Sequence, residues 1–144
     1  MKLPLREFAD IVAALKGPAA AKADSSEIRQ AARMDVTAKV NVYFVDSDKP
    51  IRSYSALTRD VSLTGMGLLQ SVAVPAGQEL FVALPRTSGP PLFVQSQAKH
   101  CRSLADGLLA VGLEFTKVAD DATSAKLIKH GQDQQARIQR SVLG

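Results

Sequence analysis

Asp35-Val36-Thr37-Ala38-Lys39-Val40-Asn41-Val42-Tyr43-Phe44 alternates with a period of two: Val36, Ala38, Val40, Val42 and Phe44 fall on one face, Thr37, Lys39, Asn41 and Tyr43 on the other. Successive side chains of a strand point to opposite faces, so the pattern is that of a half-buried strand. Asp46-Ser47-Asp48-Lys49-Pro50 has the residues of a turn, and residues 51–58 can return antiparallel as the second arm of a hairpin. Shorter strand-like runs follow at 66–69, 80–84, 92–98 and 108–115, separated by Pro75-Ala76-Gly77, Ser88-Gly89-Pro90-Pro91 and Ala105-Asp106-Gly107. Five or six short strands with hairpin-length connections and no helical crossover predict an all-β fold with flanking helices: an antiparallel sheet curled into a small barrel or sandwich.

Outside the strands the period changes. Leu5, Phe8, Ile11, Val12 and Leu15 recur at helical spacing within 5–16, Gly17 and Pro18 end the run, and the alanine-rich 19–23 reads as a linker. The amphipathic helix is expected to pack on the core, with binding of a partner as the other use of such a face. After Phe115 the chain turns polar, and 120–144 carries the thin apolar stripe of a C-terminal helix that docks at its start and frays at its end. The expected organisation is 1–23 helix and linker, 24–119 barrel with its preceding arm, and 120–144 helix and tail.

With 144 residues, 46% hydrophobic and 22% charged, the chain is expected to fold as one domain with a core of its own. The net charge of +4 is mild, and 1–33 holds six basic against four acidic groups. That excess suits a small anionic ligand better than a long phosphate backbone, so neither DNA nor RNA is expected as a partner. Cys101 is the single cysteine, which excludes an internal disulfide and leaves a thiolate metal site without ligands. Arg6, Glu7 and Asp10 interrupt what an export signal would need as an apolar run, and no stretch of about 20 apolar residues offers a transmembrane segment, so a cytoplasmic setting is expected.

Catalysis has little support, and no enzymatic activity, cofactor or metal is expected. His100 and Cys101 are neighbours in a strand-like run, which points them to opposite faces and prevents a nucleophile–base pair, while His130 lies in the polar tail. The simplest reading is a buried thiol and two ordinary surface or edge histidines.

Two local patterns remain. Arg29-Gln30-Ala31-Ala32-Arg33 is an RxxxR just before the first strand, and Asp60-Val61-Ser62-Leu63-Thr64-Gly65 is a DxSxxG just after the second. In a chain with nine arginines the first arises readily by chance, and Asp24 and Glu27 at capping-box spacing would explain it as a helical turn. The second alone would read as a turn with a side-chain acceptor and a flexible glycine. Their order adds information, because a hairpin can bring both to one end of a barrel.

This arrangement over residues 29–115 resembles the PilZ domain, a bacterial receptor module for cyclic di-GMP, with Ala110-Val111-Gly112-Leu113-Glu114-Phe115 similar to that family's last barrel strand. The resemblance implies a small antiparallel six-stranded barrel and a second-messenger receptor whose ligand, cyclic di-GMP, is gripped by Arg29, Arg33, Asp60, Ser62 and Gly65, acting on a protein partner of unknown identity. The chemistry agrees: arginine's planar fork serves both phosphates and the O6/N7 edge of guanine, and an ionised Asp60 suits guanine's N1–H and amino donors. Ser62 adds a hydroxyl, and Gly65 lacks the Cβ that would hold a base off the loop. Arg59, Lys99 and Arg102 are further phosphate partners to consider.

Ile28 stands where many members carry another arginine, which favours one ligand molecule over a self-stacked pair. With no Trp, five Phe and two Tyr, aromatic stacking is thin and guanines are expected to stack on arginine planes. Ordering of the arm at 24–34 around the ligand, shifting the N-terminal helix toward a partner, is the mechanism these features suggest. The alternative functions are a PilZ-like adaptor that binds protein and not nucleotide, and a small basic barrel for single strands, which the scarcity of aromatic platforms disfavours.

Overall fold

The computed structural model of the chain describes residues 1–17, 33–46 and 48–143, the last nine of these as backbone only. It contains helix α1 (Leu5–Lys16), strands β1 (Arg33–Asp35), β2 (Lys39–Phe44), β3 (Arg52–Ser62), β4 (Gly65–Gln70), β5 (Glu79–Leu84), β6 (Leu92–Ser103) and β7 (Leu109–Val118), and helix α2 (Asp121–Leu143). Strands run in the order β3-β2-β5-β6-β7-β4, and β4 pairs back onto β3. Every pairing is antiparallel, so the six strands close into the expected barrel and leave no unpaired edge.

The seventh strand, β1, lies beside β3 in line with β2. The stretch expected to be one strand from Asp35 to Phe44 is thus interrupted at 36–38. Buried Thr58 bridges the break: its Oγ1 accepts the Ala38 N–H at 2.9 Å and donates to the Val36 carbonyl. The break therefore leaves few backbone groups unpaired. Strands β6 and β7 extend beyond the expected 92–98 and 108–115, to Ser103 and Val118. Their connection uses the anticipated Asp106-Gly107, both at positive φ (61° and 76°), as a tight hairpin turn requires.

Barrel interior and α1 form one core. Phe8, Ile11, Val12 and Leu15 are buried with Val42, Val61, Leu68, Val82, Val111 and Phe115. Burying four such side chains contributes about 6–12 kcal/mol. Helix α1 is anchored at one end of the barrel by the Leu3 N–H donating to the Leu63 carbonyl at 2.8 Å, and across that end by Asp10, which accepts from the Thr87 hydroxyl at 2.5 Å. The helix is an integral plug, packed on the core as its amphipathic spacing predicts, and Phe8, Ile11, Val12 and Leu15 are unavailable to a partner.

Helix α2 lies outside the barrel. Leu127 packs with Tyr43, Ala83 and Phe93 in a second apolar cluster, and His130 stands edge-on to Tyr43 while its Nε2 lies 3.1 Å from the Ser53 hydroxyl. Tyr43, assigned by alternation to the outer face, is buried because this helix covers it. The backbone stays helical to Leu143.

Candidate functional site

Residues of the second motif occupy the end of β3, the turn and the start of β4, rather than a loop after the strand. Ser62 shapes the turn itself: its Oγ accepts the Gly65 N–H at 3.1 Å and can return a hydrogen bond to the Gly65 carbonyl at 3.2 Å. Gly65 is required by the sheet. A Cβ there would strike the Leu113 carbonyl of β7, so the close approach of the two backbones alone demands a glycine.

Asp60 is positioned by a β-bulge between Thr58 and Asp60, which turns its carboxylate outward over β4. One oxygen accepts the Gly67 N–H at 2.8 Å, and the other pairs with the Arg33 guanidinium. Arg33 is the first residue of β1, in register with Ser62. The expected meeting of the arginine segment with the acidic turn at one barrel end is therefore present for Arg33, whose side chain is 62% exposed and available to a ligand. Arg29 and most of the 24–34 arm lie outside the described residues. Both Asp60 oxygens already have partners, so its first task is to hold Arg33.

Beside this pair opens a groove of about 580 Å³ on the outer face of β3, β4, β7 and β6. That volume lies in the range of small-ligand sites. Four cationic side chains, Arg33, Arg59, Lys99 and Arg102, line it against two carboxylates, Asp60 and Glu114. Lys99 lies 3.5 Å from Glu114 and donates to the Gln97 amide oxygen at 2.9 Å. Its partner Glu114 is half exposed, and such a surface pair contributes at most about 1 kcal/mol, so an anion can recruit Lys99 cheaply. Arg59 and Arg102 are exposed and enter no ion pair among the described residues.

The floor of the groove was not foreseen. Asp60 pairs with Gly67, Gly67 with Gly112, and Gly112 with His100, a single row across four strands. The two central residues carry no side chain, and each end residue leans over its neighbour: a Cβ on Gly67 would sit 2.7 Å from the Asp60 carboxylate, and one on Gly112 would enter the His100 ring. His100 is thus an exposed wall of the groove, while Cys101 packs against the core. The alternation argument placed them on opposite faces correctly but gave His100 no role. The available signal was two glycines, Gly67 and Gly112, inside strand patterns, which mark close approach of other groups.

Among the described residues no cluster of metal-ligating side chains occurs, and no helix is long and apolar enough to cross a membrane. A sequence profile of the PilZ domain matches residues 27–130. No curated protein matches the chain. Among solved structures it is similar to the inhibitor of motility MotI/DgrA of Bacillus subtilis, at 16% identity and a TM-score of 0.46, over 76% of this chain and 52% of that one. It is also similar to YcgR of Escherichia coli, solved in complex with c-di-GMP, at 15% identity and a TM-score of 0.44, over 78% of this chain and 49% of that one. The chain spans about half the length of each.

Proposed function

We propose that this chain, which belongs to the PilZ domain family, is a non-catalytic cytoplasmic receptor that binds cyclic di-GMP in the groove beside Asp60. The observation that carries the reading is the convergence of Arg33, Arg59, Lys99 and Arg102 around the row Asp60, Gly67, Gly112 and His100. A dianionic ligand gains from each cation, and the two glycines keep the floor low, covered only by the Asp60 carboxylate and the His100 ring that lean over them. The ligand set is Arg29, Arg33, Asp60, Ser62 and Gly65, with distinct tasks.

Arg33, held ready by Asp60, donates its fork to a phosphate or to the O6/N7 edge of a guanine. Arg29 supplies the second fork from the segment ahead of β1. Asp60 keeps lone pairs for a guanine N1–H or amino group once Arg33 turns to the ligand. Ser62 and Gly65 hold the turn that fixes Asp60 against β4. Charge-assisted hydrogen bonds contribute on the order of 1.5–3 kcal/mol each, so a few suffice to hold a dianion in the groove. Because α1 is buried in the core, the bound state is signalled to a protein partner by the groove rim rather than by release of that helix.

Titration calorimetry of the chain with cyclic di-GMP tests the reading. Binding by the parent that is lost in Arg29→Ala and in Arg33→Ala supports it. A silent parent overturns it in favour of a nucleotide-independent adaptor, and salt-sensitive binding of oligonucleotides in its place would favour a single-strand binder.

A further inference from the structure

Planar bases need a surface as well as donors, and the five phenylalanines and two tyrosines are all engaged elsewhere. Phe8 and Phe115 lie in the core, Tyr43, Phe81 and Phe93 belong to the α2 docking cluster, and Phe44 packs on Tyr54 with ring centroids 5.6 Å apart. None of them lines the groove. His100 does, and its ring is the single aromatic one among the described lining residues.

The ring's placement is specific. A Cβ built on Gly112 would meet Cε1, Nε2 and Nδ1 of His100 together, so the imidazole lies over the Gly112 Cα with one face against the sheet. His100 is exposed, which leaves the opposite face to the groove. Arg102 and Lys99 stand on the same strand, and Glu114 on β7 completes the charged rim around it. The row from His100 through Gly112 and Gly67 to Asp60 covers three inter-strand gaps, about 14 Å of sheet with side chains only at its ends.

We propose that His100 is the stacking platform for one purine of the bound nucleotide, held flat by Gly112 beneath it. The assignment rests on the cyclic di-GMP reading and adds to it a residue outside both sequence motifs. It also replaces the arginine-plane stacking expected from sequence for one of the two bases. Base–aromatic stacking sets the size of the effect: loss of the ring weakens binding by about 5- to 150-fold.

The test measures cyclic di-GMP affinity for the full chain and for His100→Ala, His100→Phe and His100→Lys, with thermal melts of each to establish folding. Expected are weak binding by the Ala and Lys variants, affinity within about threefold of the parent for the Phe variant, and upfield ring-current shifts of the His100 ring protons on ligand addition to the parent. Unchanged affinity in His100→Ala, or retention by Lys with loss by Phe, overturns the platform while leaving the receptor reading intact. A parent that does not bind overturns both.

Discussion

Asp60 and His100 stand at opposite ends of one row of paired residues, with only Gly67 and Gly112 between them. Each end group leans inward over its glycine. The strip is therefore defined by what it lacks, and the chemistry at its ends differs: a carboxylate holding an arginine on one side, an aromatic ring on the other.

Asp60 combines two tasks that substitution separates. Asp60→Ala removes the acceptor of the Gly67 N–H and leaves that donor unpaired, a loss of about 1–3 kcal/mol in urea unfolding. Asp60→Asn keeps an acceptor oxygen and loses less. Both release Arg33, whose re-ordering on binding costs about 0.5–1.5 kcal/mol, so calorimetry reads weaker nucleotide binding in both variants.

The glycines divide in the same way. In Gly65→Ala the new methyl meets the Leu113 carbonyl, which is backbone and cannot swing aside, so stability falls by about 1–3 kcal/mol. In Gly67→Ala it meets a side chain that can rotate, and the displaced Asp60 frees Arg33. Melting temperature drops more in the first variant and nucleotide affinity drops more in the second relative to stability.

Much of this was readable beforehand. Alternation at 36–44 gave the first hairpin, and Asp106-Gly107 the last, because period two and positive φ leave clear marks. The union of Arg33 with the acidic turn followed from motif order. What escaped depends on register. Nothing in sequence says that Gly67 will face Gly112, or that the bulge after Thr58 will turn Asp60 outward, since both arise when distant strands align. Tyr43 escaped for the same reason: its cover, Leu127, is far along the chain.

Helix α1 behaves as part of the barrel core. Phe8→Ala removes a fully buried ring and lowers stability by about 3–5 kcal/mol in chemical denaturation. A change under about 1 kcal/mol would mean that the helix is dispensable and free to move.

Alkaline pH weakens the fold through its tyrosines. Burial raises Tyr43 and Tyr54 above their ordinary 10.0, with hydrogen bonds from Asn41 and Gln70 opposing the shift. The folded state therefore keeps protons that the unfolded chain releases. This contribution is fully present below pH 10 and is lost as pH rises through the raised values. Unfolding series at pH 9 and 11 show a smaller loss for Tyr54→Phe than for the parent.

The most direct measurement is a two-dimensional amide NMR titration of the chain with cyclic di-GMP. Saturable shifts centred on Arg33, Ser62, Gly67 and Gly112, with Tyr43 and Leu127 on the α2 side unmoved, are the predicted result. Shifts confined to the α2 side, or none at ligand excess, would contradict the assignment of the groove.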